Sequence, residues 1–101
     1  MNNNGTARAD VVIDNPGRYA KQLVSHLGHK LAFTTDGATS TATIGDGTGQ
    51  IVVGDGVLTL HASGDDEQAL ALVEQVLGSH LERFAQREPL VITWTRSHPD
   101  S

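Results

Sequence analysis

The sequence predicts an α+β domain, one mainly antiparallel sheet with two helices packed on one face, in the order β-α-β-β-β-β-α-β. Three observations predict it. Two segments, 16–27 and 66–86, repeat apolar residues at helical spacing. Short segments between them alternate apolar and polar residues, as half-buried strands do. Asp36-Gly37, Gly45-Asp46-Gly47 and Gly54-Asp55-Gly56 punctuate those segments, and such pairs favour tight hairpins.

Taken in order, residues 1–6 read as a polar, disordered tail, and a single domain is expected over 7–96. Ala7–Asp14 alternates as a strand with Ala9, Val11 and Ile13 inward. Asn15 is placed to cap the first helix, and Pro16 fits its first turn because no N–H is needed there. Tyr19, Leu23 and Leu27 form the buried stripe. Gly28 is expected to stop the helix in the left-handed conformation. Four strands follow, over 30–35, 41–44, 50–53 and 57–62. The second helix, 66–86, opens on Asp65, Asp66 and Glu67, where the positive end of the helix dipole favours acidic residues. Its apolar face is Leu70, Val73, Val76, Leu77, Leu81 and Phe84. Glu88-Pro89 ends it, Leu90–Arg96 reads as a last strand with Ile92 and Trp94 on one side, and 97–101 reads as a C-terminal tail.

Composition narrows the function classes. The chain has 101 residues and 38% hydrophobic residues, enough for one packed domain and too many for a disordered chain. Its net charge of −5 disfavours a nucleic-acid partner. It has no cysteine, which removes disulfides, thiolate metal sites and cysteine nucleophiles, and fits a reducing, cytoplasmic setting. No apolar run is long enough to predict a membrane span.

Two stretches carry the candidate chemistry. Ser25-His26-Leu27-Gly28-His29-Lys30 closes the first helix, and Ser79-His80-Leu81-Glu82-Arg83-Phe84, continuing to Arg87, closes the second. Should those two ends meet, His26, His29, Lys30, His80, Arg83 and Arg87 gather into one cationic, titratable patch. Guanidinium, ammonium and imidazole groups together suit a carboxylate or phosphate, so these six residues are the candidate ligand-binding set for a small anion. Each has a plainer reading. His80 flanks an apolar face, His26 suits a helix C-terminus, His29 and Lys30 sit in a turn, and the arginines suit a solvated surface. The histidine spacing matches no familiar metal signature, so no metal or other cofactor is expected. No nucleophile-elbow pattern frames the serines, and no catalytic residue is assigned. Gly45-Asp46-Gly47-Thr48-Gly49 opens no helix and reads as turn chemistry, not as a phosphate loop. The second face of the sheet, with Val12, Thr34, Thr41, Thr43, Val57, Thr59, His61, Val91 and Thr93, reads as a polar surface that also suits a docking or dimer interface.

Beyond these readings, Pro16-x-Arg18-Tyr19, the two histidine blocks, the run Arg87-Glu88-Pro89-Leu90 and the Trp94 strand resemble a bacterial family catalogued as domain of unknown function 2218, across about residues 7–96. The resemblance implies the open sheet of TATA-binding-protein-like domains and of the phosphohexomutase C-terminal domain. It also implies an accessory role near siderophore and iron uptake, with a flavin-dependent siderophore-interacting reductase as an expected partner. This sequence has Val24 and Gln86 where members of that family often carry cysteine and an aromatic residue. Fold likeness alone licenses no activity. Three readings stand together: a binding or accessory domain for a small anionic ligand, a small enzyme with a histidine general base, and a homodimer or interaction module using the open sheet face.

Overall fold

The computed structural model describes residues 5–85 and 92–97. Its elements are β1 (Gly5–Val12), α1 (Pro16–Leu27), β2 (Phe33–Asp36), β3 (Thr39–Ile44), β4 (Gly47–Val53), β5 (Val57–Gly64), α2 (Glu67–Phe84) and β6 (Thr95–Ser97). The strands form one sheet in the order β2-β3-β4-β5-β1-β6, and all neighbours are antiparallel. The expected element order and fold class hold.

Alternation along the strands decides which face is covered. Ala7, Ala9 and Val11 of β1, Leu58, Leu60 and Ala62 of β5, Ile51 of β4 and Ile44 of β3 point to one side. There they join Leu23 and Leu27 of α1 and Leu70, Val73, Leu77 and Leu81 of α2 in one buried cluster. Both helices therefore lie on the same face. Ile92 and Trp94 pack against this cluster from the far end of the chain.

Local chemistry differs from the sequence expectation at several ends. β1 begins two residues earlier than expected, with Gly5 opposite Gly64, so Gly5 and Thr6 belong to the sheet. Asn15 precedes α1 in the left-handed region (φ 58°), and its side chain makes no capping bond. A side-chain cap needs an extended N-cap residue, so the left-handed backbone takes that role away from Asn15. Gly28 follows α1 at φ −62°, not left-handed. Its need for glycine is close approach, because a Cβ there would lie 2.6 Å from the Val24 carbonyl oxygen. By contrast α2 starts as expected, with the Asp66 carboxylate accepting from the Ala69 N–H at 2.8 Å.

The glycine-rich stretch corrects the sequence reading most. Only Gly45-Asp46 forms the loop, closing the Ile44–Gly47 pair, and Gly45 has φ 60°, as a type II′ hairpin asks of its first central residue. Gly47 and Gly49 are buried strand residues of β4 beneath α2. A Cβ on Gly47 would meet Ser63 O at 2.5 Å and Val73 Cγ2 at 2.6 Å. These positions let the helix approach the sheet closely.

Of the last strand expected over 90–96, residues 92–94 are not strand, and β6 covers Thr95–Ser97. Val91 of the expected outer face and the segment 86–91 lie outside the described residues. Arg96, opposite Ala7 and so on the helix side, reaches back to α2. Its Nε and Nη2 donate to the two carboxylate oxygens of Glu74 at 3.0 and 2.7 Å, and Nη1 donates to Glu67. These hydrogen bonds, with Glu74 first, hold the guanidinium well above its ordinary pKa.

Candidate functional site

The C-terminal turns of α1 and α2 meet. His26 lies in the last turn of α1, and its ring centre is 5.4 Å from that of His80, with the ring planes tilted by 46°. Phe84, one turn after His80, presents an edge-to-face contact to His26 at 5.3 Å. Two imidazoles more than fifty positions apart in sequence are thus neighbours, because each helix brings one to the same corner of the core. His80 is half-buried, and its Nδ1 lies 2.7 Å from the Val76 carbonyl oxygen. A carbonyl oxygen only accepts, so Nδ1 is the donor of this bond, which in the neutral ring leaves the lone pair on Nε2.

The other members of the expected patch are placed less tightly. His29 and Lys30 lie in the exposed turn after α1, where the Lys30 N–H donates to Leu27 O at 3.0 Å. Arg83 is exposed in the last turn of α2. Arg87 lies outside the described residues. The structure thus brings His26 and His80 into contact, and records no hydrogen bond or ion pair joining His29, Lys30 or Arg83 to them among the described residues.

A different part of α1 borders a mostly apolar cleft. The helix packs on β4 and β5, and the cleft opens beside it at the tip of the β2–β3 hairpin, around Thr35, Ala38 and Ser40. The resulting cleft holds about 660 Å³. Its walls are apolar at Ala20, Val24, Ala38 and Val53, while Lys21, Ser25, Thr35 and Ser40 supply the polar groups. Ser40 is 7% exposed and shares a hydrogen bond with the Thr35 hydroxyl at 3.0 Å. Among the described residues Lys21 makes no ion pair. No histidine lines this cleft. Sequence reasoning missed it by starting β3 at residue 41. The available signal was parity, since Ser40 shares the inward face of Ala42 and Ile44.

The outer face is polar, as expected, but more cross-linked. Thr59 is 8% exposed, and its hydroxyl donates to Asp10 Oδ1 at 2.7 Å. Arg8 Nε donates to the same oxygen at 3.1 Å. Gln50 donates to Thr41 across β3 and β4. Val12, 83% exposed, is a large apolar residue on this face. No helix of the described residues is long and apolar enough to cross a membrane. Among those residues no three His, Asp or Glu side chains converge as a metal cage.

Among the described residues, a six-stranded antiparallel sheet, covered by two helices on one face and bare on the other, with a lateral cleft beside the first helix, defines a small open-faced α+β domain. The chain belongs to the bacterial family described as "Uncharacterized protein conserved in bacteria (DUF2218)", which matches residues 8–95. It is similar to the NMR structure of PA4090 from Pseudomonas aeruginosa, with 25% identity, a TM-score of 0.71, and coverage of 94% of this chain and 96% of that one. A de novo designed protein, Foldit4, aligns at 12% identity with a TM-score of 0.41 over 93% of each chain. No curated protein matches by sequence.

Proposed function

We propose that this domain is a non-catalytic binding module for a small carboxylate with an apolar body, held in the cleft between α1 and the β2–β3 hairpin. The observation that carries the reading is the cleft's layout. A volume of about 660 Å³ is the size of a small-molecule site, and ligand sites combine apolar walls with a few polar groups. The Lys21 ammonium supplies the charge that an anion needs, and the Ser25, Thr35 and Ser40 hydroxyls can donate to its oxygens. The apolar walls discriminate against inorganic phosphate, which would bury its charge beside Val24 and Val53.

Decanoate and decanol are suitable probes, followed by amide NMR. Decanoate should shift the Val24, Ala38, Ser40 and Val53 signals saturably, and Lys21→Met should weaken it by about fivefold, the loss of a partly exposed ion pair. Ala38→Phe, which fills the mouth of the cleft, should abolish the response. Decanol acting as well as decanoate, or no saturable shift at millimolar decanoate, would overturn the reading.

A further inference from the structure

We infer that His26 and His80 form a two-imidazole site for a borderline divalent metal ion such as Zn²⁺, and that the ion staples the C-terminal turns of α1 and α2 together. The site is separate from the α1 cleft and independent of the ligand proposed for it.

Distance supports the assignment first. A metal about 2.0 Å from each coordinating nitrogen, and so about 3 Å from each ring centre, separates two rings at a tetrahedral angle by about 5 Å. The observed separation of the ring centres is 5.4 Å, close to that spacing. The tautomer of His80 supports it next. Metal-ligating histidines donate their other N–H to a carbonyl or carboxylate, which fixes the ring and leaves a lone pair for the ion. The 2.7 Å contact from His80 Nδ1 to Val76 O is that bond, made before any ion arrives. His26 is exposed, and its ring meets Phe84 edge-to-face.

Two helix C-termini meet here, and the partial negative charge on their last carbonyls favours a cation, against the exposed Lys30 that follows α1 and the exposed Arg83 in the last turn of α2. Two neutral imidazoles without a carboxylate suit Zn²⁺, Cu²⁺ or Ni²⁺ and not the oxygen-seeking Mg²⁺ or Ca²⁺. Water or a small anion completes the coordination sphere. Imidazoles must be unprotonated to bind, so affinity falls as pH falls.

Zinc chloride is the probe, with calcium chloride as control, and thermal unfolding and imidazole ¹⁵N NMR are the readouts. Millimolar Zn²⁺ should raise the unfolding midpoint by about 4 °C or more, as binding to the folded state alone requires. It should also shift His80 Nε2 while Nδ1 keeps its proton. His26→Ala, a change at an exposed position, should remove both effects, as should His80→Asn where that variant folds. His29→Ala should leave both intact. An equal response to Ca²⁺, or a Zn²⁺ response that survives His26→Ala, overturns the proposal.

Discussion

Asp10 stands exposed in the middle of β1, yet its carboxylate is held by two donors from its own sheet face. The Thr59 hydroxyl, and then Arg8, lower its pKa below the ordinary carboxylate value. A folded-state pKa below the unfolded one gives stability that is present above the unfolded value, about pH 4, and is lost as pH falls through the folded value. Thr59→Val should therefore move the Asp10 midpoint, read by carboxyl NMR, upward toward the ordinary value. The stability difference between the two proteins should shrink as the solution is acidified through that range. Asn15 makes a second residue-scale case. Its left-handed backbone costs alanine more than glycine, so Asn15→Ala should lose about 1 kcal/mol in urea unfolding and Asn15→Gly close to none. The sequence marked Asn15 correctly as the residue before a helix, but two conformations serve that position. Which one is used depends on how β1 delivers the chain, and that is not local information.

Periodicity made the elements legible and packing set their ends. The stripes Tyr19-Leu23-Leu27 and Leu70 to Phe84 predicted both helices because each must bury one face, and both do. The hairpins were legible through their glycine–aspartate clusters, whose turn chemistry is local. The start of β4 was not. Glycines at 47 and 49 look like turn residues until α2 is laid across them, because the reason for them is a helix more than twenty positions downstream. Gly47→Ala should accordingly cost about 2 kcal/mol, since the new methyl meets both Ser63 O and Val73. Equilibrium urea unfolding should show the loss as a lower midpoint with an unchanged slope. The candidate site divides the same way. The meeting of His26 and His80 was legible as a conditional, because both lie at helix ends on apolar flanks. The α1 cleft was not legible, since it exists only where a helix lies beside the tip of a hairpin.

At the scale of the whole molecule, Arg96 joins parts of the chain that the sequence separates. It sits in the edge strand β6 and ties it to two turns of α2 through Glu67 and Glu74. The Glu74 side chain is 12% exposed, so this charge is sheltered enough for its partner to count. Arg96→Met should cost about 1–2 kcal/mol, and hydrogen exchange should show it as lost protection at Thr6 and Arg8, where β1 meets β6. Nothing in the spacing of Arg96 announced this, because the partners face it only once β1 lies between β5 and β6. That placement has one more effect. Thr6 and Ser97 are paired across adjacent strands, so the two ends of the described chain leave the sheet side by side, about 5 Å apart. A domain whose entry and exit coincide can be spliced into a surface loop of a host protein without prying the host open. For the same reason a permuted version, with its ends joined by a short glycine linker and reopened at Asp55-Gly56, should keep the native amide spectrum.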